Sequence, residues 1–560
     1  MSFLEDIWNR LGEGKDQTVL QEARPEEFTR ATGGELLALI QSAREFLRAA
    51  GVRPGDRVAL IGPNGIRWTA ADLAVLAERA IAVPLYVRQA PAELGAIVRD
   101  SSPKLVLAAD GATPLAGGGG APTALFDELF AAKRGEESEP PLPLAPGDPV
   151  TLIYTSGTSG APKGVPLTAA NVDFMLPRTR ARLDQLMRTV KRPPGGDDVE
   201  TGEGESVFHY LPCCFAGSWI LLHSVLGRCA VLTFSTDLQR LAEELADSEP
   251  DYFLNVPILL ERMRSNVEKQ IAERGGIAAK LFRAGRDAYF RRQAGRPEAF
   301  DGARLALASR TIFPAIRRRL GPRLRALICG SAPLAVDTQL FFAMLGIPVL
   351  QVYGLTETTA ICTLDDPARV VAGRVGPAIP GVEMERGEDG EVLVRGPHIF
   401  PGYWNRPEET ARVLRDGWFH TGDQGEADAR GNWRIAGRLK NLLILSSGHN
   451  VPPEPIEEML LRAIPSAQQV MLVGNDRPSL AAIVTGAVTA ETVQAALDEI
   501  NSRLPHYERI RAFHLCPEPF TIESGLITAN GKLRRDAILA ALRDTIDQLY
   551  AADNPRAASA

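Results

Sequence analysis

Cysteine is scarce in this chain: six residues in 560 (Cys213, Cys214, Cys229, Cys329, Cys362 and Cys516), in apolar settings, with no C-x-x-C pair and no metal-type spacing with histidine. That excludes a disulfide framework and predicts buried free thiols in a reducing cytosol. Positive charge is not in excess. A net charge of −7 argues against nucleic acid as the main partner, so any anion site must be local. Long apolar runs are missing too: the most apolar stretch, SWILLHSVLGRCAVLTF, is broken by His223 and Arg228 and falls short of a membrane span. The N-terminus, MSFLEDIWNR, has Glu5 and Asp6 where a secretion signal needs basic residues. A cytoplasmic location is the expectation.

The chain is longer than one hydrophobic core usually supports, so more than one domain is expected. From Val52 short β-type runs alternate with helical ones: RVALIG, a helix through AADLAVLAERA, IAVPLY, a helix from Pro91, then KLVLAA. That rhythm predicts parallel strands with covering helices, an α/β fold. Residues 111–122 and 134–148 are Gly-rich and Pro/Glu-rich and read as surface loops within that domain. Strands resume with PVTLIY, SVFHYL, CAVLTF, DYFLNV, LRALICG and IPVLQVYG. After residue 385 the pattern shifts to short strands and Gly/Asp turns, a small β-rich unit to residue 437. Residues 438–560 then read as a smaller α+β domain, following a large domain over 1–437.

The densest chemistry lies in YTSGTSGAPKG, Tyr154 to Gly164, with three glycines, four Ser/Thr hydroxyls and one lysine. Glycines let backbone N–H groups approach a ligand, and hydroxyls and Lys163 add donors and charge, so the run suits phosphate oxygens. Its position after a strand, with Thr168 or Asn171 available to cap a helix, predicts a strand–loop–helix phosphate site. Lys163 is followed by Gly164 and not by a hydroxyl, which argues against the common P-loop. Downstream, YGLTETTA sets Thr356 beside Glu357 after Tyr353 and Gly354, pairing a phosphate donor with an oxygen ligand for Mg²⁺. WFHTGDQGEAD places Asp423 in what reads as a tight turn, able to accept hydrogen bonds from ribose hydroxyls. GRLKNLLILSSGHN and the terminal NGKLRR, with Lys532, complete the set.

In this order and at these separations the five motifs resemble the adenylate-forming superfamily of acyl-CoA synthetases, adenylation domains and luciferases, over about residues 26 to 550. The likeness is greatest to long-chain fatty acyl-CoA synthetases, through VPILLERMRSNVEKQ, KNLLILSSGHNVPPEPIE and FTIESGLITANGKLRR. The resemblance implies two half-reactions with ATP, Mg²⁺ and CoA: a fatty acid is activated to acyl-AMP, and a thiol then displaces AMP. It implies that Lys532 bridges carboxylate and α-phosphate, and that Thr155, Ser156, Gly157, Thr158, Ser159 and Lys163 hold the outer phosphates. Thr356 would touch the α-phosphate, Glu357 would hold Mg²⁺, and Gly330, Ser331 and Ala332 would flank adenine. Asp423 and Arg438 would bind ribose. Lys440 matches the hinge of a mobile small domain, whose rotation would bring Ser446, Ser447 and Gly448 toward the thiol.

The chain departs from the long-chain pattern where L-P-x-x-H is usual: it reads LPCCF, with Phe215 for histidine, which puts acyl selectivity in question. NGKLRR is nearer the broader superfamily. Alternatives are a fatty acyl-AMP ligase that loads an acyl carrier protein and a CoA ligase for an aryl or other non-fatty acid. Residues 262–297 hold ten basic and three acidic side chains with Met263, Ile271, Leu281, Phe282, Tyr289 and Phe290 among them, the composition of either a solvated face or a peripheral contact with an anionic membrane.

Overall fold

The computed structural model describes residues 2–25, 27–110, 120–131, 138–155, 162–191, 204–528 and 531–551. Two large mixed sheets carry the larger part of the chain. One runs Thr123–Leu125, Leu105–Ala108, Arg57–Ile61, Ile81–Leu85, Pro149–Thr155 and Lys163–Thr168, parallel except for the last pair. The other runs Thr363–Leu364, Val349–Tyr353, Ala326–Cys329, Tyr252–Asn255, Glu205–His209, Ala230–Phe234, Thr18–Ala23 and Phe28–Thr32, parallel inside and antiparallel at both edges. The central strands read as near-continuous apolar runs because helices cover both faces. Ile66–Ala77 and Ala216–Leu226 are buried almost all round, which explains why neither shows a polar stripe.

A five-stranded antiparallel sheet follows, built from Glu383–Arg386, Glu391–Arg395, Leu414–Arg415, Trp418–Ala427 and Trp433–Arg438. The smaller C-terminal domain centres on Gln469–Val473, Leu480–Thr485 and Ile510–Cys516. Pro453–Ala463 and Ala490–Asn501 cover one face of that sheet through Ile456, Leu460, Val493 and Leu497. Arg535–Ala541 and Arg543–Ala551 cover the other through Ile538, Ile546 and Leu549. The last helical stretch among the described residues begins at Arg535 and is split at Leu542.

Several expectations change at this level. The serine-glycine run does not lead straight into a helix: its flanks, Pro149–Thr155 and Lys163–Thr168, pair antiparallel with Thr155 opposite Lys163, making a hairpin. The helix follows that second strand as Ala169–Thr189, with Thr168 as N-cap and Asn171 closing a capping box. The Thr421–Asp423 triplet lies inside Trp418–Ala427, not in a turn, and Gly422 (φ +70°) bends the strand there. Cys213, Cys214, Cys329 and Cys362 are buried as expected, whereas Cys229 is exposed and Cys516 half-buried. In the helices Pro257–Arg274 and Gly276–Gln293, Met263, Ile271, Phe282 and Tyr289 pack inward on Phe313, Phe341 and their neighbours. They form core and not a lipid-facing stripe. No helix among the described residues is long and apolar enough to cross a membrane.

Between the helix Gly33–Ala49 and residue 78, Arg44 lies fully buried, its Nε donating to Glu78 Oε1 at 2.7 Å. Arg48 adds two more bonds to the same carboxylate, at 2.8 and 2.9 Å. Removing one member of a buried pair strands the other charge. Glu78→Ala should therefore cost about 3–5 kcal/mol and lower the thermal midpoint, measured by differential scanning fluorimetry, whereas Glu13→Ala, on an exposed pair, should cost under about 1 kcal/mol.

Candidate active site

The C-terminal ends of the central strands meet the five-stranded sheet at one cleft. Val349–Tyr353 delivers Tyr353, and the chain turns at Gly354, where a Cβ would fall 2.1 Å from the Ala360 carbonyl oxygen. Only glycine fits there. Tyr353 donates its hydroxyl to Asp423 Oδ2 at 2.8 Å, and Arg438 Nε donates to Asp423 Oδ1 at 2.9 Å. Asp423 and Arg438 are cross-strand partners, so the sheet itself sets that pair. Asp423 also accepts a fixed place from its own backbone N–H, which donates to Thr421 Oγ1 at 3.0 Å. Each carboxylate oxygen keeps a second lone pair for a ligand.

Glu357 stands in a short 3₁₀ turn, Thr356–Thr358, and is buried. Its Oε1 accepts from the Tyr403 hydroxyl at 2.8 Å. The turn is capped by Thr358, which exchanges hydrogen bonds with the backbone of Leu355, so the Thr356 hydroxyl is not spent as an N-cap. Lys163 pairs with Glu409 and lies 5.2 Å from the centre of the Tyr403 ring. Gly330 ends Ala326–Cys329 where a Cβ would meet Val352, and Ser331 next to it takes the left-handed conformation (φ +73°).

Charge ties the small domain to this cleft. Lys532 is reached by solvent yet walled by protein, and its pKa is lowered, first by that enclosure and then by Arg438; the carboxylates of Asp423 and Glu357 oppose the shift. Asp423 and Glu357 belong to the larger part of the chain, and Arg438 ends the last strand of the five-stranded sheet. Arg438 is itself held charged: burial disfavours the cation, but Asp423 and Glu357 outweigh it and raise its pKa. Lys440 is pushed down to about 8 by enclosure, Arg438 and Lys163.

The structure thus brings Lys163, Tyr353, Glu357, Asp423, Arg438, Lys440 and Lys532 within electrostatic reach of one another. It does not bring Ser446, Ser447 or Gly448 there. They form the exposed turn between Leu443–Ile444 and Asn450–Val451, tied to Arg477 and to His449, which stacks on Tyr507 with ring centres 4.3 Å apart. Ser156, Gly157, Thr158 and Ser159 lie outside the described residues, while Thr155 ends its strand at the cleft side of the hairpin. Phe215 is half-buried against Tyr86, ring centres 5.9 Å apart. Sequence reasoning missed Tyr403 and Glu409. The only signal was their closeness to a Pro-Gly-Tyr-Trp turn, which names no chemistry.

A family described as AMP-binding enzyme matches residues 8–404, and its C-terminal domain matches residues 440–554. Long-chain-fatty-acid–CoA ligase FadD15 of Mycobacterium bovis is 28% identical, over 96% of this chain and 94% of its own. The chloroplastic long-chain-fatty-acid–[acyl-carrier-protein] ligase AEE15 of Arabidopsis thaliana is 26% identical, over 97% and 86%. Among solved structures, O-succinylbenzoate coenzyme A synthetase (MenE) of Bacillus subtilis, in complex with ATP and magnesium ion, has the same fold with a TM-score of 0.71 at 20% identity, covering 95% of this chain and 98% of that one.

Lys440 should titrate with a midpoint near pH 8, its ammonium intact below and its amine neutral above, against about 10.4 for a free lysine. Removing Arg438 removes a repelling charge, so Arg438→Leu should raise the midpoint. NMR of ¹³C-methylated lysines measures both; a Lys440 midpoint above 10 in the unsubstituted protein would contradict the cleft electrostatics.

Proposed function

We infer the reaction from one premise: the chain belongs to the AMP-binding enzyme family and is an AMP-forming acid–thiol ligase of the long-chain fatty acid–CoA ligase type. Its acid is a medium- or long-chain fatty acid, and its thiol is that of CoA. The carboxylate oxygen attacks the α-phosphorus of ATP and pyrophosphate leaves; the thiol sulfur then attacks the acyl carbon and AMP leaves. In the first step two anions must meet, so positioning and neutralisation carry most of the catalysis.

Lys532 lies between the attacking carboxylate and the α-phosphate. The single observation behind this assignment is that its ammonium, from the small domain, lies within electrostatic reach of Asp423 and Glu357 of the large domain. Thr155 to Ser159, with Lys163, hold the outer phosphates, and Lys163 exchanges Glu409 for them when nucleotide enters. Thr356, its hydroxyl free of capping duty, donates to the α-phosphate. Gly330, Ser331 and Ala332 flank adenine with Tyr353 and Gly354, while Asp423 and Arg438 hold the ribose hydroxyls. Bound Mg²⁺ would supply neutralisation of phosphate charge, and Glu357 is the residue that would hold it. Glu357 suits it, because one buried carboxylate with an uncommitted oxygen is the protein share Mg²⁺ commonly takes, the rest being phosphate and water. Lys440 is the hinge between residues 1–437 and 438–560, and rotation there carries Ser446 to Gly448 toward the thiol.

A carrier-protein thiol is the second reading, favoured by the likeness to AEE15. Incubation with ATP, Mg²⁺ and a ladder of fatty acids, with and without CoA, separates the two: acyl-CoA is expected, and acyl-AMP that CoA never consumes would favour the carrier. Product from aryl acids alone would overturn the fatty-acid assignment. Lys532→Ala should slow acyl-AMP formation by about 10²–10³-fold.

The acid is drawn from an anionic membrane by the segment 262–297, which has ten basic and three acidic residues in a chain of net −7. With its inner apolar residues spent on the core, the contact is mainly electrostatic, aided by exposed Ile277 and, just beyond the segment, by exposed Phe300 and Leu307. Co-sedimentation with phosphatidylglycerol vesicles should be seen at low salt and lost at high salt; no binding at low salt removes this contact.

A further inference from the structure

We propose that Arg534 and Glu93 are a latch that holds the Lys532 loop in its cleft, and that the latch must open before the thiol step; the proposal rests on the two-step reaction above. Arg534 lies two residues beyond Lys532 and donates from Nη2 to Glu93 Oε1 at 2.7 Å, with side chains 27% and 11% exposed. Its neighbour makes the contrast. Arg535 pairs with Glu457 on Pro453–Ala463, inside the small domain, and travels with that domain wherever it goes. Glu93 belongs instead to the first turn of Pro91–Ser101 in the large domain. Any rotation that withdraws Lys532 must separate Arg534 from it.

The pair is also built to have two states. Arg534 Nε is buried without a hydrogen-bond partner, so the Glu93 contact compensates a guanidinium that water reaches only in part. Docked, the charge is paired; undocked, it is hydrated by the outward swing; a half-open pose offers neither.

The helix carrying Glu93 reaches the phosphate side of the site at its other end. There Asp100 accepts from the Tyr154 hydroxyl at 2.6 Å and faces Arg406 at 3.5 Å. Tyr154 immediately precedes Thr155, where the serine-glycine run begins. One helix thus registers the terminal lysine loop and the phosphate hairpin against a common strut. Arg534 and Glu93 touch no reacting atom in this arrangement and are positioning residues.

Two measurements on the full chain test the latch. Hydrogen–deuterium exchange of ligand-free protein should show residues 520–536 exchanging faster in Glu93→Gln than in the unsubstituted protein, with the rest of the small domain unchanged. The half-reactions, assayed apart, should split: acyl-AMP formation falls about ten- to a hundredfold, the share expected of one charged hydrogen bond, while thiolysis of supplied acyl-AMP is unchanged or faster. The charge-reversed double variant Glu93→Arg with Arg534→Glu should recover both properties. A merely structural pair would lower both half-reactions together, and that result, or unchanged exchange over 520–536, or no recovery on reversal, overturns the latch. Should the unsubstituted protein form no acyl-AMP from any acid, the functional reading fails by itself, and the exchange data still decide whether the contact docks the loop.

Discussion

Concentration of like charge in one cleft is the constraint on which the rest of the structure depends. Lys163, Lys532 and the adjacent pair Arg438 and Lys440 come from three separate segments; enclosure first, and then the charge of Arg438, lowers the pKa of Lys440 and Lys532. Asp423 and Glu357 keep the arrangement stable, and each is held in turn by a tyrosine hydroxyl, from Tyr353 and Tyr403. A site so poised has an electrostatic preference for an anion already organised before one arrives. Both large sheets, the five-stranded sheet and the small domain serve to deliver these groups to a common place.

The same charge balance couples chemistry to domain position. Lys532 is attracted by Asp423 and Glu357 and repelled by Arg438, so charges of both signs act on its ammonium in the cleft. That suits a reaction in which the ammonium is needed for one step and must make way for the next. The turn Ser446–Gly448 lies outside the cleft and is bound to its own domain through Arg477.

Much of this was legible in the residues themselves. Parallel strands announced themselves as apolar runs of four to six residues between helical segments, because burial on both faces leaves no alternation to obscure them. Site motifs were legible where several chemical groups sit close in sequence, as in YGLTE. What stayed hidden has a physical reason in each case. The strand after the serine-glycine run, Lys163–Thr168, carries a proline and two glycine-flanked positions that mimic a loop, yet Val165 and Leu167 bury it at a sheet edge. Thr421–Asp423 looks like a turn because one glycine with positive φ bends a strand without ending it. Tyr403, Glu409, Glu93 and Arg534 act through partners far away in sequence, and a lone polar residue carries no mark of a partner that only folding supplies. Met263, Phe282 and Tyr289 looked amphipathic for a lipid surface, whereas their apolar side serves the helical insert's own core.

The central claim is that one anion site is shared by cations from both domains. Lysine footprinting with an acylating reagent during a titration with ATP and Mg²⁺ measures this directly. Protection of Lys163 and Lys532 should rise along a single saturation curve; protection of Lys163 with Lys532 left equally reactive at every nucleotide concentration would contradict it.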